Sequence, residues 1–522
     1  MIREAFPKPA IVVLLLAVAI RVYGASVAAT INIDGTLYIN QARALYYGQA
    51  QELFCGLNFI PLNSLLLVPL YFLTRNWIVA GQTLSLACGV GSIIPIYLIS
   101  RRFFEERIST AVLLLLSLTP VLVNSSIEII KDPVAWVLFS CGLLCFIRHM
   151  EQRARTDILL CSLLFLGAGW ARAEFFLLYF ATALYLLFSQ PSHRIRDLML
   201  FLAPLGLIAL IAFVFPGISG ISTGHIRTPG AFVPQTAAHV GNPYTALKTQ
   251  LFALADTFPP NERALQNFLP EAANLAWLVG LGMILTRAGE AIFHPFTIFY
   301  LVGLWSIGPW THDKKIRYLL WIMGVAFLIV YLQTLQTWVL ESRWLGGMIL
   351  CTTIFAGIGM QKTNIFLQKK CKMTQRAATI AICIFLLLFG LAKNIKRHNA
   401  DNAVYKEIAS TIEQDAARQR PIIFAGSAST KAPLYLVSFY ANLKKPKAIC
   451  PADNLMLTEA DLNSPATLAK KLSAHDIHYV LLAPAPPGSK HPLPLQELTA
   501  LSLCLGEWHH KDLGSLFLYK VK

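Results

Sequence analysis

The residues best suited to chemistry in this chain are a few carboxylates and cations set beside apolar runs. Asp34 lies in the stretch Asn32-Ile33-Asp34-Gly35-Thr36-Leu37-Tyr38-Ile39-Asn40-Gln41-Ala42-Arg43, directly after the first long apolar run. A carboxylate at the mouth of a membrane span meets water on one side and lipid-borne substrates on the other, which makes Asp34 the first candidate for the chemistry. The structural alternative is a helix cap, since Asp before Gly-Thr-Leu-Tyr is a good helix start. Glu128 and Asp132 are spaced to share one face wherever their stretch is helical. Asp132 either orients a substrate or caps the span opened by Pro133. Glu128 taken alone reads as a solvated acid or a partner of Lys131. Arg172 and Glu174 lie between two short apolar runs, where charges are costly and either pair or function. Arg343 stands at the end of a late span, as a headgroup anchor or as a planar fork for a phosphate.

The elements that position these groups are membrane spans. The chain has 522 residues, 56% of them hydrophobic and 14% charged, with a mean hydropathy of +0.56, which is too apolar for a soluble protein. Its net charge of +16 comes from short Lys and Arg clusters between apolar runs. That is positive-inside patterning and excludes a nucleic-acid footprint. The ten cysteines have no CxxC spacing. Cys450 and Cys504 share a polar segment, as a disulfide or as two thiols. Isolated Asp34 and Asp132 do not define a metal-ligand spacing, so no cofactor is assigned, and a divalent ion is left open without support from the sequence.

Apolar runs over 9–29, 78–99, 108–123, 134–147, 158–171, 175–188, 198–215, 295–309, 318–339, 344–359 and 377–392 predict about 11 crossings. The N-terminus could pass for a signal peptide, but Arg21 and the nearby Asp34 favour an uncleaved first span. The runs 62–73 and 272–285 are read as interfacial or half-inserted. Between spans, 30–77, 124–133 and 216–270 read as outer loops of a transmembrane domain over 1–399. An odd count sends the tail 400–522 outside, where helical periodicity over 404–417 and strands over 421–426, 479–483 and 516–519 predict a small α/β domain. The fold class expected is an α-helical polytopic membrane protein with a small extracytoplasmic α/β C-terminal domain.

The ordered motifs resemble the C-type (GT-C) membrane glycosyltransferases, in the group of protein O-mannosyltransferases and lipid A aminoarabinose transferases. The likeness covers 10–190 well and 317–522 loosely. It rests on Asp34-Gly35-x-x-Tyr38-x-x-x-Ala42 after a Leu-rich span containing Arg21, on Ile60-Pro61-Leu62, and on Tyr97-Leu98-Ile99-Ser100-Arg101-Arg102-Phe103-Phe104. It continues with Ser117-Leu118-Thr119-Pro120, Ser126-x-Glu128-x-x-x-Asp132-Pro133, Arg172-Ala173-Glu174 and Ser342-Arg343-Trp344. The chain departs from the group in lacking the basic residue that often precedes the proline segment, and in having Ala173 where the group has proline. It has no Trp-Trp-Asp motif in its tail, which counts against an oligosaccharyltransferase.

The resemblance implies an inverting transfer of a sugar from a polyprenyl-phosphate donor to an extracytoplasmic acceptor, a protein hydroxyl, lipid A or another glycan or lipid. The site would lie on the outer face of the plasma membrane. Asp34 and Asp132 would be catalytic, with Tyr38, Glu128, Arg172, Glu174, His225, Arg227 and Arg343 binding substrate. His225 and Arg227, with His239 and Lys248, would close a long loop over the donor phosphate, although most such loop residues are simply solvated. A transporter or flippase should show inverted repeats, and none is found. A membrane-anchored binding protein would use the tail and leave the outer acids dispensable.

Overall fold

The computed structural model describes residues 6–54, 59–189, 194–214, 243–259, 262–395, 400–415, 421–447, 449–450, 453–462, 464–483 and 502–521. The chain is mostly helical. The helices of the first half are α1 Lys8–Val27, α2 Ile33–Tyr46, α3 Leu62–Thr74, α4 Trp77–Ser100, α5 Glu106–Leu118, α6 Pro120–Ile127, α7 Asp132–Gln152, α8 Arg155–Ala171, α9 Glu174–Ser189 and α10 Arg194–Val214. A helix over 243–255 (α11) follows, then α12 Arg263–Asn274, α13 Ala276–Ile292, α14 His294–Trp305, α15 Lys314–Thr337, α16 Gly346–Lys370 and α17 Gln375–Asn394. Among the described residues, six helices are long and apolar enough to cross a membrane, or up to eight if each bent pair is one span. The sequence reading reaches eleven by also counting short runs such as 158–171 and 175–188.

Two apolar runs are broken. The run expected over 108–123 bends by 52° between α5 and α6, and the run around 272–285 belongs to a pair, α12 and α13, bent by 72°. The first break falls at Thr119-Pro120, where proline has no N–H to continue the helical ladder. Carbonyls exposed at such a break need other donors. Arg21 of α1 donates to Ser117 O at 3.2 Å, and Asn394 of α17 donates to Leu118 O at 2.8 Å.

The chain divides into two compact units. The first comprises Met1–Arg21, Ala87–Ser126 and Asp132–Ile395; the second comprises Val22–Leu86, Ile127–Lys131 and Lys396–Lys522. In the first unit the start of α16 packs closely on its neighbours. A Cβ at Gly346 would collide with the Trp136 ring, and one at Gly347 would press on Phe175. Glycine at these positions lets α7 and α9 approach α16, so the residues just before it lie near the tip between α8 and α9.

In the second unit, α18 Ala403–Asp415 leads into β1 Phe424–Ser427, α19 Lys431–Asn442, β2 Leu455–Leu457, α20 Glu459–Leu462, α21 Pro465–Ala474, β3 Tyr479–Leu482, β4 Ser502–His510 and β5 Gly514–Val521. The sheet order is β2-β1-β3-β5-β4, with β1 parallel to β2 and β3 and with β5 antiparallel to β3 and β4. Ala425, Val480 and Leu482 pack against Leu468 and Leu472 of α21. The expected helix and three strands are present. β2 and β4 carry no clear period in the sequence, β2 for its three residues and β4 because a register shift between Cys504 and Gly506 interrupts its alternation.

Arg43 joins the first loop to this domain. It is buried, and its Nη2 donates to the carbonyls of Asn442 at 3.0 Å, Lys445 at 2.6 Å and Lys447 at 3.2 Å. Burial lowers its pKa to about 10, opposed by the nearby Tyr47 and Tyr71 hydroxyls, so it stays cationic at neutral pH. Ile31 N donates to Tyr440 Oη at 2.9 Å from the same loop. Cys450 is disulfide-bonded while Cys504 is free, so these two cysteines are not a pair.

Candidate active site

The helix carrying Asp34 starts at an asparagine. Asn32 is the N-cap of α2, with φ −67° and ψ 150°, and its Oδ1 accepts from Asp34 N at 2.8 Å. Asp34 therefore sits inside the first turn and is not the cap, which corrects the structural alternative weighed for it. A carboxylate in a first helical turn is favoured by the backbone N–H groups and the dipole there. Tyr38, buried one turn further on, lies on the same side of α2. The other end of Asn32 donates from Nδ2 to Glu128 Oε2 at 3.0 Å. Glu128 is thus tied to the Asn32 turn and is not the simply solvated acid of one of its two sequence readings.

Glu128 and Asp132 do not share a helix. α6 ends at Ile127 and α7 begins at Asp132, and the four residues between are irregular. Asp132 is buried at the start of α7. Its Oδ1 accepts from Arg172 Nη1, and Arg172 Nη2 and Nε donate to the two oxygens of Glu174 at 2.9 and 3.3 Å. Arg172 is the C-cap residue of α8, with extended φ −143°, so the tight α8–α9 tip turns its side chain back towards α7. Burial alone would lower the Arg172 pKa. The charges of Asp132 and Glu174 more than reverse this and raise it above the ordinary arginine value.

One guanidinium between two carboxylates carries one net negative charge. Such a group accepts hydrogen bonds from hydroxyls and repels phosphate. Arg172 and Glu174 also line a narrow cleft of about 40 Å³ with Trp136, Gln333, Trp344 and Gly347. Arg343 precedes Trp344 in the 3₁₀ turn Ser342–Leu345, and its Nε pairs with Glu341, which is 45% exposed. Arg343 is thus the sequence neighbour of Trp344 in this cleft's wall.

Asp132, Arg172, Glu174 and Arg343 thus belong to the first unit, and Asp34, Tyr38 and Glu128 to the second. His225 and Arg227 lie outside the described residues. Sequence reasoning missed Asn32, the cap that precedes Asp34, and Arg43, the clamp further along the same helix. Both stand in the stretch that drew attention to Asp34, and a polar residue just before Ile-Asp-Gly was the available signal for the cap. Among the described residues no group of three or more His, Cys, Asp or Glu side chains could hold a metal ion.

Residues 62–217, which include Asp132, Arg172 and Glu174, match the family described as dolichyl-phosphate-mannose-protein mannosyltransferase. The fold is similar to that of ArnT from Cupriavidus metallidurans. The apo form has a TM-score of 0.58 at 12% identity, covering 97% of each chain. The form bound to undecaprenyl phosphate has a TM-score of 0.60 at 13% identity, covering 98% of this chain and 97% of that one. An Archaeoglobus fulgidus oligosaccharyltransferase, solved in complex with Zn and sulfate, has a TM-score of 0.59 at 12% identity, covering 98% of this chain and 73% of that one. No curated protein is matched by sequence.

Proposed function

We propose that this chain, a membrane glycosyltransferase of the C-type fold in the group of the protein mannosyltransferases and ArnT, moves a sugar from a polyprenyl-phosphate donor to an extracytoplasmic acceptor hydroxyl. The observation that carries the reading is the group of buried Asp132 and Arg172 with half-buried Glu174 at the ends of adjoining helices, inside the matched residues. Charges buried beside membrane spans are costly and either pair or serve a site, and here the pairing leaves one carboxylate in excess.

Asp34 acts as the base. It takes the proton of the acceptor hydroxyl as that oxygen attacks the anomeric carbon, while the bond from that carbon to the phosphate oxygen breaks. Polyprenyl phosphate leaves with the electron pair, and direct displacement inverts the anomeric centre. Arg343 holds the departing phosphate, exchanging its exposed partner Glu341 for the ligand. Asp132 accepts from a sugar or acceptor hydroxyl, and Arg172 positions Asp132. Glu128, through Asn32, positions the turn that carries Asp34, and Tyr38 lines the sugar side of that helix.

The outer position of the tail is supported by the disulfide at Cys450, since such bonds persist in oxidising compartments. The site then lies on the outer face of the plasma membrane. The test is incubation of purified protein in detergent with a polyprenyl-phosphate-linked sugar and lipid or peptide acceptors. Sugar transfer with inverted configuration, read by NMR of the product, is expected. If donor is neither consumed nor transferred to any hydroxyl acceptor, the reading fails. Mass spectrometry of lipids and glycoproteins from cells with and without the protein identifies the acceptor class.

A further inference from the structure

A second polar cavity lies at the other end of the spans. It measures about 420 Å³ and is lined by Leu98, Arg101, Arg102, Leu144, Arg148 and Gln152. Arg101 and Arg102 directly follow α4, and Arg148 and Gln152 end α7. At about 1.5 Å per residue, Arg148 is roughly 24 Å along α7 from Asp132, nearly the depth of a bilayer core. The cavity therefore opens on the opposite membrane face from the carboxylate group described above.

Its arginines have partners that leave donors to spare. Arg101 Nη1 is 3.4 Å from Glu106, yet the atom is buried without a hydrogen bond. Arg148 Nη2 is 3.5 Å from Asp157. Arg102 pairs with Glu151, which also takes Lys315 Nζ at 3.1 Å. Burial, and after it the neighbouring Arg148, holds the Arg102 guanidinium below its ordinary pKa, as expected where two like charges face one cavity. Leu98 and Leu144 supply an apolar wall on the membrane side.

We propose that this cavity binds a phosphate group between Arg101, Arg102 and Arg148, carried by an anionic lipid headgroup or present as a free anion. Guanidinium forks fit phosphate oxygens in pairs. A bound anion relieves the repulsion between Arg102 and Arg148. The leucine wall suits an acyl chain running from the headgroup into the bilayer.

The full-length protein, purified in uncharged detergent, is titrated with dioleoyl phosphatidylglycerol, with dioleoyl phosphatidylcholine and with inorganic phosphate. Bound lipid is counted by native mass spectrometry, and the unfolding midpoint is followed alongside. Phosphatidylglycerol should bind more tightly than phosphatidylcholine, and Arg101→Gln and Arg148→Gln should each weaken it about tenfold or more. Lys369→Gln/Lys370→Gln, in another basic cluster, should leave binding unchanged. Inorganic phosphate that displaces the lipid and raises the midpoint alone identifies a free anion as the ligand; phosphate without effect identifies the lipid. Arg148→Gln removes the partner of buried Asp157, so Arg101→Gln is the decisive variant. Equal phosphatidylglycerol affinity in wild type and a well-folded Arg101→Gln, or no binding of either anion, overturns the proposal.

Discussion

Asn32 Oδ1 accepts the Asp34 N–H at 2.8 Å, so the residue that caps α2 is distinct from the carboxylate that follows it. Capping and chemistry can therefore be separated by mutation. Asn32→Ala should cost about 1 kcal/mol of stability through the lost cap. Asp34→Asn should leave stability and donor binding intact but lower turnover about a hundredfold to ten-thousandfold, because an amide cannot take a proton. Thermal unfolding and single-turnover transfer measure the two effects. Near wild-type transfer by a folded Asp34→Asn protein would remove Asp34 from the mechanism.

The Asp132–Arg172 pair should behave differently. Arg172→Met leaves the buried carboxylate of Asp132 and the half-buried one of Glu174 without their cation and should destabilise the protein by about 3–5 kcal/mol, mostly through Asp132. Asp132→Asn keeps a hydrogen-bond acceptor for Arg172 and should lose activity with a much smaller loss of stability, by less than Asp34→Asn does, since orientation and not proton transfer is affected. A double-mutant cycle in which the two changes simply add would show that the contact carries no coupling.

Arg343→Ala should weaken donor binding by about 1.5–3 kcal/mol, and Arg343→Lys should restore part of the loss because a point charge replaces the fork. Donor titration gives both values. Unchanged affinity in Arg343→Ala would leave Arg343 as an interfacial anchor paired with Glu341.

An alkaline phosphatase fused after Lys522 should be active, and a cytoplasmic reporter at the same point silent. Dithiothreitol should free a thiol at Cys450 that is blocked beforehand, whereas Cys504 should alkylate without reduction. A silent phosphatase fusion would place the tail inside and with it overturn the outer site.

Asp461 provides a pH test in the tail. A hydrogen bond from Lys471, with others from Thr458 N and Oγ1, depresses its pKa to about 2. Because the folded value is below the ordinary aspartate value near 3.9, its contribution is present above about pH 4 and is lost as the pH falls through 2. Asp461→Asn should lower the unfolding midpoint at pH 7, and the difference should shrink towards pH 2. A difference independent of pH would assign the effect to packing.

The sequence by itself determined the membrane class and the candidate acids. Long apolar runs have no other economical fold than lipid-spanning helices, and Asp34, Asp132, Arg172 and Arg343 stand out because charge is rare beside such runs. It also showed the α/β tail, through the periods of 404–417, 421–426, 479–483 and 516–519. Tertiary structure decided the partners. That Arg172 faces Asp132, 40 residues away, depends on where the α8–α9 tip returns to α7, and no local pattern encodes that return. The bend at Thr119-Pro120 persists because Arg21 and Asn394 reach its carbonyls from distant helices. Arg43 is read in sequence as one more polar residue of a loop, yet folding buries it against three carbonyls of the tail. Helical and strand periods arise from neighbours along the chain, whereas these contacts exist only once separated segments pack and exclude water.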